Sequence, residues 1–279
     1  MLFPIPARLA ARSGERGDGL DGLPGTVRAL ARRWSLHLGP PFEPGGETAW
    51  VAPAGNGLVL KVGWVHDEAR DEAAGLRAWA GQGAVRVLAE RTEGSTAAWL
   101  LERAVPGTPL TALPGPEQDV VLAGLLRRLW FEPPAQHSFR PLSTMCDAWI
   151  AESGPQLTHL DQGLVRDGLA RFRALPRDDV PPRLLPTDLH AENILSARRE
   201  PWLMIDPKPY VGDPAYDLTQ HLLDNEARLT ADPRAFASRL ADLAGVDPDR
   251  VTAWLFARLV VEAAWWPYDV AALARTLGP

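Results

Sequence analysis

Three polar side chains within residues 185–217, LPTDLHAENILSARREPWLMIDPKPYVGDPAYD, could do chemistry together. Asp188 follows an apolar run, Asn193 comes five positions later, and Asp206 ends a second apolar run, WLMID, thirteen residues further on. Two short strands joined by a turn would bring Asn193 and Asp206 near one another, so that their oxygens can share a hard cation. Magnesium takes oxygen ligands, keeps several waters and is completed by substrate phosphates, so one Asn and one Asp suffice. Asp188 is then left to accept the proton of an attacking hydroxyl. Phosphoryl transfer requires little more of a protein than positioning and charge neutralisation.

Basic-residue usage points to the same segment. Of 29 basic residues only Lys61 and Lys208 are lysine, in a chain rich in Ala, Gly and Pro. Arginine serves wherever only a positive charge is wanted, whereas its planar fork is a poor substitute for a compact ammonium at a tight phosphate site. The net charge of -6 spreads over both halves without a basic cluster, which argues against a nucleic-acid binder. A single cysteine, Cys146, no apolar N-terminal run and no membrane-length apolar stretch lead to the expectation of a cytoplasmic protein with a disulfide-free core.

The elements that must position these residues fall into two groups. A leader helix is expected from about Thr26 to Trp34. From Pro41 to Arg103 the signals are short and β-like: GGETAWVAP, a turn at AGNG, LVLKVGW, a helix through HDEARDEAAGLRAWA, then VRVLAE and AAWLLERA. This reads as a small sheet with one helix inserted after its third strand. Beyond Pro106 the pattern is helical, in EQDVVLAGLLRRLW, STMCDAWIAE, THLDQGLVRDGLARFRAL and DRVTAWLFARLVVEAAWW. The composition shift at ERAVPGTPL sets an expected boundary between 1–103 and 104–279.

The segment 184–217 resembles the aminoglycoside and hydroxyurea phosphotransferases, the streptomycin 6-kinase-like branch of the protein-kinase-like superfamily. Asp188, His190 and Asn193 stand in the catalytic-loop pattern, and Asp206, Pro207, Lys208, Gly212, Pro214, Ala215, Tyr216 and Asp217 in the metal-strand pattern. Pro186-Thr187 departs from the His-Gly of many members. The resemblance implies an α+β two-lobed kinase-like fold, with an antiparallel N-lobe sheet plus helix and a mainly helical C-lobe. It implies Asp188 as base, His190 and Lys208 in the catalytic set, and Asn193 and Asp206 on Mg2+. PGGETAWVAP resembles the hairpin over the nucleotide, and LVLKV puts Lys61 at the phosphate-binding lysine, paired with Glu72 or its rival Glu68. WLLERAVPGTPL resembles the interlobe hinge, with the backbone of Glu102 and Ala104 meeting adenine. The implied reaction uses ATP or GTP and a hydroxylated small molecule, an aminoglycoside-like antibiotic or hydroxyurea, in a monomer or weak homodimer.

Plainer roles stand beside these. His190 could brace the loop, Lys208 could cap a turn, and Asp213 and Asp217 could anchor the loop and cap the next helix. Thr187 could face the acceptor. Trp79, Trp130, Trp149 and Trp254 read as core, while Trp265 or Trp266 could close an acceptor pocket. Asp147, Glu152, Asp224 and Glu262 could line it for a cationic acceptor or simply face solvent. Rival functions are a metabolic sugar or amino-alcohol kinase, a nucleotide-binding pseudokinase scaffold, and a metal-dependent phosphohydrolase.

Overall fold

The computed structural model describes residues 4–16, 20–64, 70–94, 96–265 and 270–278. The chain divides into two compact units, Met1–Thr108 with Leu195–Ile205, and Pro109–Ile194 with Asp206–Pro279.

The first unit opens with two helices, α1 (Ala7–Arg16) and α2 (Leu23–Arg33), where the sequence pattern led us to expect one. Then come β1 (Ala49–Pro53), β2 (Leu58–Trp64), α3 (Glu72–Trp79), β3 (Val87–Glu93) and β4 (Thr96–Glu102), in an antiparallel sheet of order β1-β2-β4-β3. The helix thus follows the second strand of the sheet rather than the third. The β1–β2 turn runs through Gly55, Asn56 and Gly57, all left-handed at φ +71°, +46° and +73°, residue types that tolerate that region. Side chains alternate across a strand. Leu60 and Val62 therefore share one face with Trp50, Ala52, Ala98 and Leu100, and Leu9 of α1 with Val27 and Leu30 of α2 packs against it. Lys61 points to the other face.

A second sheet of this unit joins distant parts of the chain. β5 (Pro106–Pro109) pairs with the hairpin of β7 (Ile194–Ala197) and β8 (Trp202–Met204), while β6 (Arg183–Leu185) belongs to the other unit. Met204 exchanges backbone hydrogen bonds with Gly83 and Val85 at 2.8 and 3.0 Å. The two units therefore divide at Thr108 rather than 103, and residues 195–205 join the first. Backbone pairing between remote segments leaves no trace in a local composition shift.

The second unit is mainly helical. It holds α4 (Gly115–Leu129), α5 (Leu142–Ser153), α6 (Gln162–Ala174), the ribbon of β6 with β9 (Tyr210–Gly212), then α7 (Leu218–Asp224), α8 (Glu226–Ala231), α9 (Pro233–Ala244), α10 (Pro248–Glu262) and α11 (Val270–Leu277). Aspartates cap three of them: Asp161, Asp232 and Asp247 accept from the backbone N–H groups of Leu164, Ala235 and Asp249. The central helix is α10, whose Trp254, Leu255, Leu259 and Val260 are wholly buried. Trp254 meets Phe172 and Tyr216 edge-on, at 5.9 and 5.2 Å between ring centres. Gly168 of α6 lies so close to α10 that a Cβ there would sit 2.5 Å from Val260. Among the described residues no helix is long and apolar enough to cross a membrane.

One buried charge ties α4 to α7, α8 and α9. Asp119, with no exposed surface, accepts from Arg228 at 2.8 and 2.6 Å, Arg239 at 2.9 Å and His221 at 3.0 Å. Burial alone would raise its pKa, but these donors hold the carboxyl well below the usual carboxylate range. Asp119→Ala leaves the partners uncompensated and should cost about 3 kcal/mol by denaturant unfolding, the low end for a broken buried pair because the arginines can reach water. Gly168→Ala should cost about 1–3 kcal/mol by overpacking against Val260, read in the same experiment.

Candidate active site

In the first unit, β2 and α3 bring Lys61 and Glu72 together. The Nζ of Lys61 lies 2.8 Å from both carboxylate oxygens of Glu72, with the residues 7% and 1% exposed, and 5.3 Å from the Trp99 ring centre. Of the two expected glutamates this is Glu72; Glu68 lies outside the described residues. At the end of β4 the Glu102 side chain turns away to a different task. Its two oxygens take the guanidinium of Arg199 at 2.8 and 2.9 Å and the N–H of Arg86 at 3.1 Å. Burial would raise its pKa, but Arg199 and Arg86 together lower it. Arg199 also donates to the carbonyls of Gly81 and Ala84, so the β7–β8 turn latches the end of β4. The backbone N–H of Glu102 is bonded to Arg86 O, and Ala104 beyond it is buried. The sequence reading had no signal for Arg199, since its partners lie far away in the chain.

In the second unit the β6–β9 ribbon positions the candidate residues. Its register, Arg183↔Gly212, Leu184↔Val211 and Leu185↔Tyr210, runs on into Pro186, whose carbonyl accepts from Lys208 N at 2.9 Å and from Asp188 N at 2.7 Å. Asp188 and Lys208 thereby meet, Oδ2 to Nζ, at 2.9 Å, both partly exposed. Asn193 donates its amide N–H to the carbonyl of Asp188 at 3.1 Å, which leaves its Oδ1 for another ligand. Asn193 and Asp206 flank the β7–β8 hairpin, one before and one after it, so the hairpin returns the chain to where it began. Asp206 is exposed, at φ +52°.

Thr187 does not face outward as an acceptor contact would. It is 5% exposed; its N–H donates to Asp217 at 2.9 Å and its hydroxyl to the carbonyl of Lys208. Its φ of +51° is a left-handed conformation that costs a β-branched residue about 1–3 kcal/mol. Asp217, with no exposure, also accepts from the indole of Trp130 at 2.7 Å, so this tryptophan is a clamp as well as filler. Burial pushes the Asp217 pKa up to about 7, against the pull of both hydrogen bonds. Asp213 accepts from Ala215 N, Arg250 and Trp254, and caps the turn that leads into α7.

His190 and the acidic candidates Asp224, Glu262 and Asp147 are already paired. His190 Nδ1 lies 3.1 Å from Asp224, which ties the loop to α7; burial lowers its pKa, but Asp224, Asp188 and Glu192 outweigh that and raise it. Asp224 also accepts from Gln220 at 3.2 Å. Glu262 holds Arg258 at 3.1 Å, and Asp147 holds Arg177. Arg258, 3% exposed, donates to Thr219 and Gln220 and stacks over Trp149 and Tyr216. Trp265 is 42% exposed, and Trp266 lies outside the described residues. No group of three or more His, Cys, Asp or Glu suited to a metal gathers among the described residues. The amide oxygen of Asn193 and the carboxylate of Asp206 are donor types that fit a magnesium ion that keeps its waters and takes phosphate oxygens.

Comparisons with known proteins bear on the fold and on the chemical class. A family profile, aminoglycoside/hydroxyurea antibiotic resistance kinase, matches residues 45–270. A streptomycin 6-kinase of Streptomyces griseus is 35% identical over 90% of this chain and 86% of its own length. A hydroxyurea phosphotransferase of Kitasatospora aureofaciens is 36% identical over 95% and 78%. The structure of an aminoglycoside phosphotransferase from Streptomyces rimosus, in complex with ADP and streptomycin, superposes with a TM-score of 0.57 at 18% identity, covering 88% of this chain and 99% of that one. That likeness carries the fold, and the sequence relatives carry the kinase class, a phosphotransferase acting on a hydroxyl of a small molecule. The chain belongs to the aminoglycoside/hydroxyurea antibiotic resistance kinase family.

Proposed function

We propose that this kinase phosphorylates a hydroxyl of an aminoglycoside-like antibiotic or of hydroxyurea, using ATP or GTP with magnesium. The observation that carries the mechanism is the Asp188 carboxylate at the end of the β6–β9 ribbon, partly exposed and 2.9 Å from Lys208. Asp188 accepts the proton of the acceptor hydroxyl. The hydroxyl oxygen forms a bond to the γ-phosphorus as the bond to the bridging oxygen breaks, and the nucleoside diphosphate leaves. Lys208 exchanges Asp188 for the transferred phosphoryl oxygens, and Lys61, held by Glu72, binds the α- and β-phosphates. Asn193 and Asp206 would hold a magnesium ion, which would supply neutralisation of phosphate charge. The backbone of Glu102 and Ala104 holds the base, and the Glu102 carboxylate serves to fix that backbone through Arg199. His190 braces the loop from Asp224.

The acceptor is tested by ADP release with Mg-ATP against streptomycin, other aminoglycosides, hydroxyurea, amino sugars, amino alcohols and no acceptor, with mass spectrometry on each hit. A gain of about 80 Da, one phosphoryl group in place of a proton, on an antibiotic supports the proposal. Turnover confined to a metabolite assigns the same chemistry to a metabolic kinase instead. Asp188→Asn should lower kcat by about 10²–10⁴-fold while nucleotide affinity, read by calorimetry, stays within about threefold. Removing the divalent cation with EDTA should abolish ADP release, and added Mg2+ should restore it.

A further inference from the structure

The conformation of Thr187 is unusual for its residue type. At φ +51° glycine fits without steric cost, yet the position holds a buried β-branched residue. Outliers of this kind persist where surrounding contacts over-determine them, and they concentrate at functional sites. The contacts here are specific. The N–H of Thr187 is held by Asp217 at 2.9 Å, and its Oγ1–H is donated to the carbonyl of Lys208. The neighbouring carbonyl of Pro186 accepts from Lys208 N at 2.9 Å and Asp188 N at 2.7 Å. The backbone of Lys208 is thus gripped from both sides by residues 186 and 187, one grip through its N–H and the other through its C=O. Directly above this clamp its ammonium meets Asp188 at 2.9 Å.

We propose that Thr187 is a positioning residue: its hydroxyl fixes the backbone of Lys208 so that the ammonium stays in register with the Asp188 carboxylate and with the phosphoryl group it is to receive. This rests on the phosphotransferase reading above. A hydroxyl can do this where a backbone hydrogen bond cannot, because the N–H of residue 187 is already committed to Asp217. Glycine at 187 would suit the backbone better and leave the Lys208 carbonyl without this donor. Lys208 would keep the Pro186 grip on its N–H but lose the one on its carbonyl, and could rotate its side chain away from Asp188. The reacting groups need to be held only slightly out of place for the rate to fall by about 10²-fold.

The test uses full-length protein and reads ADP release from Mg-ATP with streptomycin, hydroxyurea or water as phosphoryl acceptor. Thr187→Ser, which keeps the hydroxyl, should hold kcat within about threefold of the parent, whereas Thr187→Gly should lose about 10–100-fold in kcat with KM for ATP little changed. Thr187→Val, isosteric but without the hydroxyl, should lose as much, and it decides the matter if the glycine variant is unstable. In a Lys208→Ala background the loss caused by Thr187→Gly should disappear, because a residue that acts through Lys208 has nothing left to position. Wild-type kcat in both Thr187→Gly and Thr187→Val, or an undiminished loss in the Lys208→Ala background, would overturn the inference. Full activity in Asp188→Asn would instead remove the phosphotransferase mechanism on which it stands, so the two failures are separable.

Discussion

A carboxylate with no access to water must be satisfied by fixed donors, and Asp217 is the one on which the Asp188 loop depends. An unpaired buried acceptor costs about 1–3 kcal/mol, so its two partners are constrained as firmly as it is. One is the indole N–H of Trp130, just beyond the end of α4, and the other the backbone N–H of Thr187. The second bond goes with the left-handed backbone of Thr187, and that backbone in turn sends the hydroxyl to the Lys208 carbonyl. From Asp217 the constraint therefore passes to Lys208 and on to Asp188. Because burial already pushes the Asp217 pKa up to about 7, the site rests on a group that can bind a proton near neutrality while Asp119, tied to two arginines, cannot.

Elements fixed by local spacing were legible in the sequence; those fixed by remote partners were not. The spacing of the candidates Asn193 and Asp206 was legible because a short hairpin, β7–β8, separates them and its apolar strands are continuous in the chain. Lys61 stood out as one of two lysines, and the structure buries it beside Glu72. The sequence left Glu72 and Glu68 as rivals because they stand four residues apart in the expected helix; the structure pairs Glu72 with Lys61, and Glu68 lies outside the described residues. Among the described side chains of α1 only Leu9 and Ser13 are buried, so ARLAARSGER brings little apolar surface and reads as a solvated leader. The short helices α7 and α8 are broken by Asn225 and give no sustained stripe. The unit boundary moved because β5 pairs with β7, nearly ninety residues away as the Thr108–Ser196 bond records, |i−j| = 88.

The departure at 186–187 from the family's loop pattern has a physical counterpart. Proline offers no N–H and holds φ near -65°, so position 186 contributes only its carbonyl, and that carbonyl is used twice. Threonine accepts a backbone that glycine would adopt freely and adds a hydroxyl that glycine lacks. The contacts made at both positions are directed inward, between the Asp188 loop and the Lys208 segment. The loop is thereby cross-linked to the Lys208 segment at 186 and 187 and to Asp217 at 187, and it presents Asp188 from a buried base.

The two lysines differ in how tightly they are held, and the difference matches the tasks proposed for them. The side chains of the Lys61–Glu72 pair are 9% and 1% exposed, those of the Lys208–Asp188 pair 33% and 22%. A buried ion pair has lost its solvent competitors, so breaking it leaves an uncompensated charge and its geometry is effectively permanent. A partly solvated pair is screened and contributes about 0–1 kcal/mol, so its members can exchange partners at little cost. Phosphates that must be held throughout the reaction call for the first kind of lysine. A phosphoryl group that arrives, moves and departs calls for the second, and for a backbone beneath it that does not move.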